Sequence, residues 1–246
     1  MTSSALVPTQ APRRRLLKIA MYAVGAALGA TVLMGVLHLP FARPLLAKLQ
    51  GLEPDSCPMG WTKTETLTPA AVETRRAAML TPTRGDTDAK DRPALGFAFE
   101  KTTRADVDAW ASKHGITCRA DRHNAGLDCP GVPAEALPES RFFRGQVRVM
   151  PGFDANQKLV SLQLSAAFPD AQSAADKAVE LIAELERGAG PATARSGEPT
   201  VEHLTRNVLA QSRAEWKLRN YDARVLVTNM AKHFLMDVVV QTVPDA

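Results

Sequence analysis

The sequence lacks the short patterns that give many enzymes away. No G-x-S-x-G elbow exposes a nucleophilic serine, no H-E-x-x-H pair seats a zinc ion, no Walker-type G-x-x-x-x-G-K cradles phosphates, and no C-x-x-C offers a redox pair. Acidic residues are missing from the first 50 positions, which hold Arg13, Arg14, Arg15, Lys18, Arg43 and Lys48. That one-sided stretch accounts for the formal net charge of +4, because taking its six bases from the 30 Lys and Arg leaves 24 against 26 Asp and Glu. From residue 51 onward the chain is mildly acidic and has no net positive field to gather phosphates, so nucleic acid is not an expected partner.

Charge is absent altogether from residues 19–39, a run of 21 without Asp, Glu, Lys or Arg. At ~1.5 Å per residue a helix of that length matches the ~30 Å hydrocarbon core, which predicts a transmembrane helix with the lipid bilayer as its partner. Gly25, Gly29 and Gly35 are tolerated in such a helix, where intrahelical hydrogen bonds are compulsory, and the Gly25-x-x-x-Gly29 spacing would let two copies approach as a homodimer. Four bases lie close before the run and only Arg43 and Lys48 follow it, so the N-terminus is expected in the cytoplasm. The reading is a single-pass signal-anchor of the inner membrane with its C-terminal domain periplasmic or extracellular. Arg13-Arg14-Arg15-Leu16-Leu17-Lys18 also resembles a cleaved twin-arginine signal, but the apolar run exceeds the ~7–15 residues of an export signal and no A-x-A site ends it. Arg outnumbers Lys by 20 to 10, a bias of GC-rich bacterial genomes that fits a bacterial envelope protein.

Beyond a basic tail (1–18) and the span (19–39), residues 40–93 read as a juxtamembrane stalk, a short helix opened by Thr68-Pro69 and a mobile loop. Residues 94–246 read as a soluble α+β domain of antiparallel hairpins packed against helices, divisible into modules 94–138 and 139–246. Within it the periods predict a short strand over 95–99, a helix over 104–114 and two strands, 116–120 and 127–129, about a polar turn. A second hairpin is expected over 142–150 and 158–168, with Leu162, Leu164, Ala166 and Phe168 inward and the other face wet. A helix then starts at Pro169-Asp170, with Ala175, Val179, Ile182 and Leu185 on its stripe and Gly188 as its cap. Val201, Leu204 and Val208 suggest another helix over 200–213, and two alternating strands, from Tyr221 and from Phe234, close the chain.

Cys118 and Cys129 fall on opposite arms of the first hairpin, and pairing about a turn at His123-Asn124 sets them face to face. A cross-strand disulfide follows, and the oxidising compartment beyond the anchor would let it persist. The other arrangement of these residues, a zinc-like set of His114, Cys118, His123 and Cys129, matches no common ligand spacing. Cys57 is left over, a candidate unpaired thiol that could otherwise link to another chain or to one of the other two cysteines. No metal or other cofactor is expected, and no acid, base and nucleophile can be assembled. Glu180, Glu184 and Glu186 read as a solvated helix face, Trp110 as core, and Trp61 as a stalk residue of open role. The functional expectation is a domain that binds or scaffolds another envelope component; the alternative is an envelope enzyme, of hydrolytic type, with an unrecognised active site.

Overall fold

The computed structural model describes residues 67–121 and 123–244. Residues Thr66–Ala246 make one compact unit. The basic tail, the span expected over 19–39, most of the stalk with Trp61, and Cys57 lie outside the described residues. Among the described residues no helix is long and apolar enough to cross a membrane.

The three longer described helices begin where side chains satisfy free backbone N–H groups. Before α1 (Pro69–Leu80) the Thr68 hydroxyl accepts from the Ala71 N–H at 3.3 Å, with Pro69 at the first position. Before α2 (Arg104–Lys113) Thr103 and Asp106 form a reciprocal capping box. The longest of the described helices, α3 (Ala171–Ala189), follows Asp170, whose carboxylate accepts from the Ser173 N–H at 2.7 Å. Its buried stripe, Ala174, Ala178, Leu181 and Leu185, recurs at helical spacing and packs on the sheet, mainly on its two central last-half strands. Burial of each leucine stabilises by about 1.5–3 kcal/mol.

Eight strands form one antiparallel sheet: β1 (Arg119–Ala120), β2 (Leu127–Pro133), β3 (Gln146–Phe153), β4 (Leu159–Phe168), β5 (Ala194–Ser196), β6 (Gln211–Lys217), β7 (Tyr221–Asn229) and β8 (Phe234–Thr242), with a short α4 (Val201–Thr205) between β5 and β6. Their spatial order is β1-β2-β3-β4-β8-β7-β6-β5, so two four-strand meanders meet at their last strands. An α+β fold with antiparallel hairpins against helices is therefore present. The sheet runs unbroken past residue 138, where the sequence invited a division into modules, because β2 pairs with β3. The plan repeats along the chain instead. Each meander follows a helix, and β5, β7 and β8 each begin 75 residues after β1, β3 and β4 (Ala194 after Arg119, Tyr221 after Gln146, Phe234 after Leu159). β6 breaks the interval because its connection from β5, residues 197–210, holds 14 residues and α4, against six between β1 and β2.

Several sequence expectations are corrected. Residues 95–99 form no strand: Leu95 and Gly96 have φ of 50° and 90°, and a single Ala94–Phe97 bridge closes a tight turn there. The turn sits so close to Pro138 that a Cβ on Gly96 would lie 2.2 Å from the proline Cβ. The second hairpin starts at Gln146, and Ser140–Phe142 is a 3-10 turn. Gly188 lies inside α3, and Gly190, with φ of 102°, ends it; Val179 is half exposed and off the buried stripe. The helix expected over 200–213 stops at Thr205, since Ser212, Ala214 and Trp216 point inward with period two and pair with β7.

Candidate binding face

Among the described residues the helices cover one face of the sheet, which lies in the core, and none packs over the other. Inward residues such as Val149, Leu164, Val238, Val225 and Trp216 are buried, whereas their neighbours on the opposite face are half-buried or exposed. The register aligns these outward residues in rows across five strands. One row reads Met150, Gln163, Val239, Arg224 and Glu215; the next toward one end reads Arg148, Ser165, Asp237, Leu226 and Arg213; the next toward the other reads Gly152, Ser161, Gln241, Asp222 and Lys217. Of the seven charges in these rows, Arg148, Arg213, Glu215 and Lys217 stand on the outer strands β3 and β6, while Asp237, Arg224 and Asp222 lie inside the face among Val239, Leu226, Gln163, Gln241, Ser161 and Ser165.

The β1–β2 hairpin walls this face on one side and produces a cleft of about 570 Å³. Met150, Ser161, Gln163, Val239 and Gln241 form much of the floor, and Arg119, Asp128 and Arg148 stand at the wall. Arg148 binds Asp128 through two hydrogen bonds of 2.7 Å, and this partner holds the Asp128 carboxyl below the usual carboxylate range. Asp222 behaves oppositely: burial pushes its carboxyl pKa up, against a counteracting hydrogen bond of 3.0 Å from the Gln241 amide.

The wall is built from local chemistry. Asp121 Oδ1 accepts from the N–H groups of His123 and Ala125, both at 3.0 Å, and so closes the turn. Arg119 pairs with Asp128 and Ala120 with Leu127, a register that sets Cys118 opposite Cys129. The two cysteines are joined, with sulfurs 1.99 Å and Cα atoms 4.1 Å apart. Because the thiols are spent on each other, the zinc-like arrangement loses two of its four ligands; His123 Nδ1 accepts from the Leu67 N–H, and His114 packs against Trp110. Cys57 lies outside the described residues.

Other residues singled out in the sequence fall away from the cleft floor. Trp110 packs on the core edge-to-face with Phe97 and donates to the Ala136 carbonyl at 2.9 Å. Glu184 and Glu186 bind Arg141 and Arg195, and His203 Nε2 lies 2.8 Å from the Gln211 carbonyl. Sequence reasoning missed the contribution of β6, which brings Arg213, Glu215 and Lys217 to the open face. The alternation of Ser212, Ala214 and Trp216 carried that signal, but the preceding helical spacing masked it. Comparison with protein-family models, curated proteins and solved structures finds no match to this chain.

Proposed function

We propose that this chain is a membrane-anchored, extracytoplasmic module that binds another protein of the bacterial envelope through the open face of its sheet. The observation that carries this reading is the broad face on which Met150, Val239 and Leu226 mix with Gln163, Ser161 and Ser165, with Arg224 and Asp237 beside them. Such a surface offers apolar area and hydrogen bonds together, as protein interfaces do, while its ion pairs stand at the edge where solvent weakens them. The anchor is the uncharged run over 19–39, oriented by the bases before it. The Cys118–Cys129 bond supports an oxidising compartment.

The test is co-purification of the full chain in mild detergent from envelope fractions, comparing the native protein with Gln163→Arg/Val239→Glu. Both sites are half-buried on the open face, so the double variant is expected to keep its near-UV circular dichroism and lose the co-purifying protein. Retention of that protein by the folded variant would overturn the face assignment. Reproducible turnover of envelope substrates by the purified chain would replace the binding reading with the enzymatic one.

A further inference from the structure

Large apolar side chains exposed on the described surface are Met79, Val179, Val201, Val208, Leu209 and Met230, and three of these six, Val208, Leu209 and Met230, belong to two segments hydrogen-bonded to each other at one end of the second meander. Val201, Val208 and Leu209 belong to the 197–210 connection, the segment that the second meander has and the first lacks. Met230 belongs to the β7–β8 turn, which is hydrogen-bonded to that connection: Leu209 N–H donates to Asn229 O at 2.8 Å, and Asn229 N–H donates to Ala210 O at 3.0 Å. The Asn229 side chain, 8% exposed, ties the two further by donating to the carbonyls of Leu204 and Asn207.

The backbone holds Leu209 and the turn beside Met230 at a cost. Leu209 and Ala231 both have φ of 68°, the left-handed region that a branched, bulky residue rarely occupies. Leu209 is nevertheless 62% exposed, so its side chain gains little from burial within this chain in return for the strain. Two cations flank the apolar tip. Arg206 and Lys232 are exposed and have no ion pair with any described residue, whereas the acids of the connection, Glu198 and Glu202, come before the buried Leu204.

We infer that this tip is a second docking surface, distinct from the open face, and that its occupant is a protein presenting an apolar pocket rimmed by carboxylates. Leu209 and Met230 fill the pocket, and Arg206 and Lys232 meet the rim. A fixed, pre-strained backbone suits a protein pocket, because the ordering cost is met before binding. An anionic bilayer fits less well: stable interfacial binding takes a polybasic surface or a second anchoring signal, and here two free cations sit on a chain segment that is mildly acidic from residue 51 onward.

Two measurements on the full chain test the inference. In the first, a photoreactive benzoylphenylalanine replaces Leu209 or, as a control, the exposed Met79, and cells that make the protein are irradiated. The expected result is one discrete protein adduct from position 209, absent from position 79 and several-fold weaker with Arg206→Glu/Lys232→Glu, whose cross-linked peptide carries apolar residues beside Asp or Glu. An adduct that is lipid alone, a second copy of this chain, indifferent to the charge reversal or equal at both positions would overturn the inference, as would no adduct. In the second, Leu209→Ala is made in the purified chain. Alanine keeps the backbone at the same φ and removes only the side chain beyond Cβ, so the melting midpoint is expected to hold; a fall of several degrees would show Leu209 to be a packing residue and overturn the inference without reference to any partner.

Discussion

The two meanders share one plan but are held together differently. In the first, β1 has only two ladder pairs, and β2 slips register against β3 between Cys129 and Val132. The disulfide joins the arms where that ladder is thinnest. In the second, the described strands carry no cysteine, and β7 pairs with β8 without a break over nine positions. Trp216 and Tyr221, among the largest fully buried side chains, anchor it, with Trp216 Nε1 donating to Gly190 O and Tyr221 donating to Pro93 O. The covalent tie therefore serves the two-pair β1 ladder, whereas its counterpart β5 pairs over three positions without one and the second meander is anchored through Trp216 and Tyr221. The same contrast separates scaffold from surface: the meanders repeat, while the 197–210 connection, present in one alone, carries the exposed tip.

The comparison can be broken first at its aromatic side. Trp216→Ala empties a fully buried site and leaves the Gly190 carbonyl without its donor, so a loss of about 3–5 kcal/mol is expected, read as a lowered urea midpoint. A loss smaller than that from removing the disulfide would contradict the division of labour. Cys118→Ala/Cys129→Ala is expected to cost about 3 kcal/mol in the chain-entropy model, and adding reductant to the native protein should reproduce that shift while leaving the double variant unchanged.

The smallest effect sharpens the account of the open face. Burial raises the Asp222 pKa in the folded state, so unfolding lets the carboxyl lose a proton more readily. Its stability contribution is fully present below the ordinary aspartate pKa of about 3.9 and is lost as pH rises through the higher folded value. Asp222→Asn keeps an acceptor for Gln241 and removes the charge, so it should melt above the native protein at neutral pH, with the gap closing below about pH 4. Melting curves across that range check both sign and window.

Much of this fold was legible because its signals were local and strong. Thr68 reads as a cap and is one, and the helices expected from Arg104 and from Pro169-Asp170 begin just after the caps Thr103 and Asp170; Leu162 to Phe168 and Tyr221 to Val227 alternate in the sequence and on the sheet. The disulfide was legible because the residues between the cysteines fix a turn and hence a register. β6 was not, since Val201, Leu204 and Val208 fit a helical period by chance, and only pairing with β7 decides between helix and strand. Nor was the exposed tip: Val208 and Leu209 look like core residues in the sequence, yet both are exposed, and Leu209 takes a positive φ that its residue type does not announce. The repeat escaped notice because strand positions, and not residues, recur.

The most direct test of the central proposal asks which compartment holds the domain. Intact cells expressing the full chain are treated with a membrane-impermeant thiol reagent, before and after gentle reduction, and the labelled chain is weighed. The account predicts labelling from outside that increases by two thiols on reduction, those of Cys118 and Cys129. Labelling of all three cysteines only after lysis, with no need of reduction, would contradict both the extracytoplasmic domain and its disulfide.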